Sequence, residues 1–261
     1  MYTMITGATG GLGKAFVEVC ARRGDKLLLT GRSEEKLSAL ADEVKARYPS
    51  VEVCYYAADL QNEGSRYEMT KKIAAEGKRI SLLVNAAGAD IQKGFSLYTQ
   101  EKISFQCRAN FEGAASMCLF AYQNRAEELQ IVNVSSVSGI YPMPYFALYS
   151  ALKGALTSFS VAIREEWKGE KVKVTAVLPG AMPTREDIKQ QIKGQGLWGK
   201  LAAKSPQYVA ECSLKAVRKN KRKLIPGFWN KVMNVGTRLI PPAWRSKFIA
   251  SRWKKISKDA F

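Results

Sequence analysis

The chain has 261 residues, 46% of them hydrophobic and 25% charged, the balance of a folded globular protein, which excludes a disordered, collagen-like or multi-span membrane chain. It contains no histidine, which excludes Ser-His-Asp and Cys-His nucleophiles and any zinc site that needs imidazole. The net charge is +18, and most of it lies between Cys212 and Phe261, where 14 basic residues face one acid, Asp259. Such a basic segment favours anionic partners, nucleic acid or an acidic membrane surface.

The five cysteines (Cys20, Cys54, Cys107, Cys118, Cys212) are scattered and form no C-x-x-C, which points to free thiols in a reducing compartment. The first six residues have no charged n-region and no apolar h-region, so no signal peptide is expected. The longest uncharged run, 129–152, holds four serines and two prolines, so no transmembrane span is expected there. These readings predict a cytoplasmic protein.

In chain order, a short apolar strand leads into the glycine-rich Thr6-Gly-Ala-Thr-Gly-Gly-Leu-Gly13 and a helix over 14–23. A second strand over 26–30 leads to Arg32 and a helix over 33–48, with Ser33 as N-cap, Glu34 and Glu35 in the first turn and Pro49 beyond its end. A strand over 51–57, a helix over 66–76 and a strand over 80–85 follow. After Asn85-Ala-Ala-Gly88 the pattern predicts a long helix over 100–120, a strand over 130–134, a helix over 149–167 and a strand over 173–178. Apolar β-branched strands alternating with helices predict a doubly wound α/β fold: one Rossmann-type parallel sheet with helices on both faces and ligands at the carboxyl ends of the strands. No linker interrupts residues 1–226, which are read as one domain, with 227–261 as a basic amphipathic C-terminal helical extension.

Gly7, Gly11 and Gly13 follow a strand and open a helix, where missing side chains let the backbone turn sharply and approach a pyrophosphate at the helix N-terminus. Three residues separate the first two glycines, so the spacing is not G-x-G-x-x-G. A dinucleotide-binding fold usually ends its second strand with an acid for the ribose 2′-hydroxyl, whereas a 2′-phosphate is held by arginine. Here the strand ends in Arg32, which predicts NADP(H) in preference to NAD(H).

Tyr149 and Lys153 stand four apart on a predicted helix, so both project from one face. A phenol of ordinary pKa about 10 is a poor acid-base catalyst near neutrality, but an adjacent ammonium and an oxidised nicotinamide both favour phenolate. Tyr149 then exchanges a proton with a carbonyl oxygen, which supplies the acid-base group that the absent histidine cannot.

Thr6 to Gly13, Arg32, Asp59, Asn85-Ala86-Ala87-Gly88, Asn110, Ser135-Ser136, Tyr149 with Lys153, and Pro179-Gly180 followed by Thr184 together resemble the short-chain dehydrogenase/reductase family in its classical form, over about residues 1–226. The resemblance implies an oxidoreductase that interconverts a carbonyl and a secondary alcohol by hydride transfer, with Asn110, Ser136, Tyr149 and Lys153 as its catalytic residues. Ser136 would bond the substrate carbonyl, Asn110 would hold a water in a proton relay with Lys153, and Lys153 would bond the nicotinamide ribose. It further implies a cofactor site of Gly7, Thr9, Gly11, Leu12, Gly13, Arg32, Asp59, Leu60, Asn85, Ala86, Gly88, Pro179, Gly180 and Thr184 beside Tyr149 and Lys153. Asp59 would contact the adenine amino group, and the Asn85 segment the adenosine ribose. Gly10 stands where many NADP-preferring members carry a basic residue, so NAD(H) stays open. The family forms dimers and tetramers, which implies a homodimer or homotetramer. A non-catalytic nucleotide sensor or scaffold on the same fold is the alternative.

The segment 139–146 and the apolar Ile188, Ile192, Leu197 and Trp198 are expected to flank the carbonyl site and suit a lipophilic ketone, steroid-like or 3-oxoacyl compound. Beyond Gly227, Trp229, Val232, Met233, Gly236, Leu239 and Ile240 recur at helical spacing before Pro241-Pro242. A second stretch, 243–258, places Trp244, Phe248, Ile249, Trp253 and Ile256 near one stripe among basic residues. That composition fits a helix in an anionic membrane interface, an internal lid or an oligomer contact. No nucleic-acid-reading module is present, which disfavours nucleic acid as the partner.

Overall fold

The computed structural model describes residues 1–183 and 203–254. Strand and helix alternate as the sequence predicts: β1 (Tyr2–Thr6), α1 (Gly11–Arg22), β2 (Lys26–Gly31), α2 (Glu34–Arg47), β3 (Val53–Ala57), α3 (Glu63–Ala75) and β4 (Ile80–Asn85). The long helix is three pieces, α4 (Gln100–Cys107), a π-helical turn (Arg108–Glu112) and α5 (Gly113–Gln123). Then come β5 (Arg125–Val134), a 3-10 turn (Val137–Ile140), α6 (Ala147–Glu166), β6 (Val172–Val177), α7 (Pro206–Arg218), β7 (Lys223–Leu224), α8 (Phe228–Arg238) and α9 (Pro242–Trp253).

The strands form one parallel sheet in the order β3-β2-β1-β4-β5-β6-β7. Successive side chains of a strand point to opposite faces, and the strands obey this: Leu27 and Leu29 go to one core, Leu28 to the other. One core joins the sheet to α1, α2 and α7 through Phe16, Leu37, Leu40, Val209 and Leu214. The other joins it to α3, α5 and α6 through Met69, Ile73, Met117, Cys118 and Ile163. Chain order reverses direction between β1 and β4, whose ends pair Thr6 with Asn85, so the switch point of the sheet lies beside the glycine loop.

Local chemistry accounts for the boundaries. Ser33 accepts from the Lys36 amide at the start of α2, and Asn62 from the Ser65 amide at the start of α3, which is why α3 begins upstream of the expected residue 66. β5 begins at Arg125 rather than near 130: Arg125 pairs with Ile80, a register shift then carries the pairing on to Gln130 with Leu82, and no apolar run marks the start. α7 and β7 complete the sheet and its first core, and the sequence reading does not anticipate them. Among the described residues, no helix is long and apolar enough to cross a membrane.

Candidate active site

The glycine loop turns at Gly7, whose φ of 62° lies in the left-handed region. A Cβ there would stand 2.8 Å from the Ala87 Cα, and one at Gly13 would stand 2.0 Å from the Gly7 carbonyl oxygen, so neither position admits a side chain. α1 therefore starts directly over the end of β1, with Gly10 as an N-cap that has no side chain to bond the first-turn amides. α2 and α3 close that end with Ser33 and Asn62. Gly10 and Gly11 are exposed and no acid occupies the first turn, which leaves α1 suited to an anionic group at its positive end. Thr9 is half-buried beside Gly31 at the end of β2, and Arg32, the next residue, is exposed. The Leu12 side chain is buried in the core, so only its backbone faces the loop.

The other expected cofactor residues lie along the same edge of the sheet. The Asp59 carboxylate accepts from the Gln61 amide at 3.0 Å, and the Leu60 carbonyl accepts from Arg66 Nη1 at 2.6 Å. The Asn85 side chain is buried and turned inward, donating to Ala114 O at 3.1 Å and to Asn133 Oδ1 at 2.9 Å. Asn133 in turn donates to Ser160 Oγ at 2.9 Å, so a closed polar network ties β4 and β5 to α5 and α6 beneath the site. Ala86 is half-buried, while Gly88 is exposed and takes no side chain easily: a Cβ there would meet Asn110 Oδ1 at 3.0 Å and Lys153 Nζ at 3.3 Å. Asn110 and Lys153, 43 positions apart in the chain, thus flank one glycine.

The π-helical turn between α4 and α5 carries Asn110, which is buried. Its Nδ2 donates to Ala89 O at 2.7 Å and Gln106 O at 3.1 Å, and its Oδ1 accepts from the Ala89 amide at 3.3 Å. α6 brings Lys153 and Tyr149 to the same place, with Lys153 Nζ 5.6 Å from the centre of the Tyr149 ring and donating to Val134 O at 3.1 Å. Ser136 acts on Tyr149 to lower its pKa, and its Oγ accepts from the Ser138 amide at 3.1 Å and the Ser138 hydroxyl at 2.8 Å. Ser135 turns away, donating to Lys153 O at 2.7 Å. Gly139 makes the close approach possible, since a Cβ there would stand 2.6 Å from backbone atoms of Lys153 and Gly154. All four residues expected to be catalytic therefore converge at the carboxyl ends of β4 and β5.

Burial sets the electrostatics. It raises the Tyr149 hydroxyl well above an ordinary phenol, and the negative charge of Asp90 adds to this while the Ser136 side chain opposes it. Burial pulls Lys153 down to about 8, with Asp90 acting in the opposite sense. Asp90 is a site residue that the sequence reading missed: it stands two residues beyond Gly88, and only the fold shows that its charge reaches both Tyr149 and Lys153.

The rim is aromatic. Phe146 stacks on Tyr149 at 4.3 Å and on Trp253 at 6.0 Å, so α9 reaches Tyr149 through one intervening ring. The Tyr141 hydroxyl bonds Asn234 O and Oδ1 at 2.8 Å, and Arg245 lies over its ring at 4.4 Å. Pro179 O accepts from the Val137 amide at 3.1 Å, placing Pro179 and Gly180 beside the Ser136 loop. A Cβ at Gly180 would meet the buried Asn230 side chain at 3.0 Å. Thr184, Ile188, Ile192, Leu197, Trp198 and Ile256 lie outside the described residues.

Comparison with known proteins shows the family to which the chain belongs. Residues 2–193 match the family described as short chain dehydrogenase. The chain is 32% identical over 194 residues to the very-long-chain 3-oxoacyl-CoA reductase of Anas platyrhynchos, covering 70% of this chain and 60% of that protein. It is 31% identical over 183 residues to the 3-ketodihydrosphingosine reductase of Bacteroides thetaiotaomicron, covering 69% of this chain and 64% of that protein. It thus spans less than two thirds of either relative's length. Among solved structures, a 7beta-hydroxysteroid dehydrogenase superposes with a TM-score of 0.81 at 24% identity, covering 95% of this chain and 96% of that one. The L-sorbose reductase of Gluconobacter frateurii, solved with NADPH and L-sorbose, superposes with a TM-score of 0.77 at 20% identity, covering 87% and 94%.

Proposed function

Because the chain belongs to the short chain dehydrogenase family, we propose that it is an NADP(H)-dependent oxidoreductase that interconverts a carbonyl and a secondary alcohol on a lipophilic substrate. The observation that carries this reading is the convergence of Tyr149, Ser136, Lys153 and Asn110 around Gly88, at the strand ends next to an uncapped glycine-rich helix start. The chemistry a nicotinamide dinucleotide supplies when bound is hydride transfer at the carbonyl carbon.

The protein's own groups manage the rest. The first-turn amides of α1 take the pyrophosphate, and Gly7 and Gly13 let the loop pack against Ala87 and on itself so that the helix starts at the strand end. Arg32, exposed just beyond the end of β2, takes a ribose 2′-phosphate, and NAD(H) binds more weakly. Tyr149 donates its proton to the carbonyl oxygen during reduction, and its raised pKa keeps that proton in place at neutral pH. Ser136 donates a hydrogen bond to the same oxygen and holds it against Tyr149. Lys153 lies 5.6 Å from the Tyr149 ring, where its ammonium stabilises the phenolate left behind, and Asn110 fixes the Ala89 backbone beside it. Phe146 and Tyr141 form an aromatic rim fitting a 3-oxoacyl, sphingoid or steroid-like ketone, a preference supported by the similarity to a very-long-chain 3-oxoacyl-CoA reductase and a 3-ketodihydrosphingosine reductase.

The same reading keeps the chain in the reducing cytoplasm, in keeping with its five free cysteines, and assembles it as a homodimer or homotetramer through α5 and α6, where Leu119 is exposed. The test is titration with NADPH and with NADH by nucleotide fluorescence, followed by turnover on lipophilic ketones and 3-oxoacyl thioesters. Tight NADPH binding with turnover is expected, and Tyr149→Phe is expected to keep the binding while losing turnover about 10²- to 10⁴-fold, the contribution usual for a positioned acid. Full activity in Tyr149→Phe refutes the assignment.

A further inference from the structure

Helix α8 is amphipathic the wrong way round for a helix that covers a core. Asn230, Asn234 and Thr237 lie on one side and face the body: Asn230 is buried and donates to Pro226 O at 2.8 Å, and Asn234 and Thr237 both meet the Tyr141 hydroxyl. Phe228, Val232, Val235 and Leu239, at positions i, i+4, i+7 and i+11, fall on the opposite side. They are exposed, Leu239 to 84% and Phe228 to 69%. α9 repeats the arrangement, with Ile249, Ala250 and Trp253 half-buried while Trp244 and Phe248, one turn apart, are 72% and 62% exposed. The expected single stripe is thus divided, Trp253 packing on Phe146 while Trp244 and Phe248 point away.

Charge selects the occupant of this face. Residues 228–254 contain six Lys and Arg and no acid, and Lys231, Lys247, Arg252 and Lys254 are exposed around the apolar stripes. A second copy meeting this face across a two-fold axis would set like charges against like, which costs association. Exposed aromatics and aliphatics flanked by cations are instead the composition of a helix lying in the headgroup and acyl boundary of a bilayer.

We propose that α8 and α9 form a platform that docks the protein on an anionic lipid bilayer, with the apolar stripes in the interface and the exposed lysines and arginines on lipid phosphates. The platform is fastened to the Tyr141 and Phe146 rim by its inward face, so docking holds the catalytic group at the lipid surface, where an apolar substrate is dissolved.

Flotation of the full chain with vesicles of phosphatidylcholine plus phosphatidylserine, and of phosphatidylcholine alone, tests this. The protein floats with the anionic vesicles, less so in high salt, and poorly with the neutral ones. The double variant Val235→Glu, Leu239→Glu, and separately Trp244→Glu, lose at least about tenfold in partitioning, as expected for removing apolar contact and adding an acid. These positions are exposed, so the variants keep their thermal midpoint and NADPH binding. Tyr149→Phe floats like wild type, which separates lipid docking from the proposed reaction. Absence of flotation with anionic vesicles, or equal flotation of the stripe variants, overturns the proposal. So does a wild-type dimer in sedimentation that the stripe variants break, which would show that a second copy covers the face.

Discussion

Helices α1 and α8 both carry apolar residues at helical spacing, and they turn them in opposite directions. α1 lays Leu12, Phe16, Val17 and Cys20 against the sheet, and every one of these is buried. α8 holds on to the body by Asn230, Asn234 and Thr237 and leaves Phe228, Val235 and Leu239 in solvent. The difference is in what each helix meets. α1 crosses apolar strands, whereas α8 runs over a polar edge of the site, where the Tyr141 hydroxyl meets Asn234 and Thr237 and Asn230 packs beside Gly180. Periodicity therefore identifies a stripe, and the surface beneath the helix decides whether that stripe is core or contact face.

The comparison can be broken by substitution. The largest effect is expected at Phe16→Ala, which opens a cavity in a fully buried position and should cost about 3–5 kcal/mol, read by urea denaturation. Lys153→Met comes next. A folded-state pKa of about 8 against the ordinary 10.5 means that burying this lysine costs on the order of 3 kcal/mol at neutral pH. The variant should lose turnover while gaining stability of that order. Between about pH 8 and 10.5 the unfolded chain holds a proton that the folded chain has released, so wild-type stability should climb relative to the variant over that window. Urea titrations of both proteins at neutral and alkaline pH measure it.

Asp90→Asn should act more mildly. Removing this charge lowers the pKa of Tyr149, which Asp90 now raises, and also that of Lys153. The alkaline limb of the reduction profile should then move to lower pH, as a kcat–pH profile would show; an unmoved limb would disconnect Asp90 from the proton step. The smallest effect is expected at Leu239→Ala, a change at an 84% exposed position that should alter folding stability by less than about 0.5 kcal/mol. A cost comparable to Phe16→Ala would show that the stripe of α8 is core after all.

Much of the site is legible in the chain because its parts are local. The glycines at 7, 11 and 13, the four-residue spacing of Tyr149 and Lys153, and the position of Ser136 each depend on one turn or one helix face. Asn110 is visible as a residue, but its placement depends on a π-helical turn, which no short-range pattern announces. Asp90 carries no local mark, since what makes it matter is distance to groups far along the chain. Asn85 shows the converse, a motif residue whose side chain serves a buried network with Asn133 and Ser160.

The sequence by itself determined the alternation of strands and helices, the parallel sheet, the tight glycine turn at the start of α1 and the Tyr149 and Lys153 pair on one helix face, because backbone propensity, side-chain period and glycine sterics act over a few residues. Tertiary structure alone decided the division of the tail stripe, the reach of Asp90, the depressed pKa of Lys153 and the docking of α8 and α9 onto the Tyr141 and Phe146 rim. Each of these depends on which surfaces are desolvated against each other, and that is fixed only when distant segments pack.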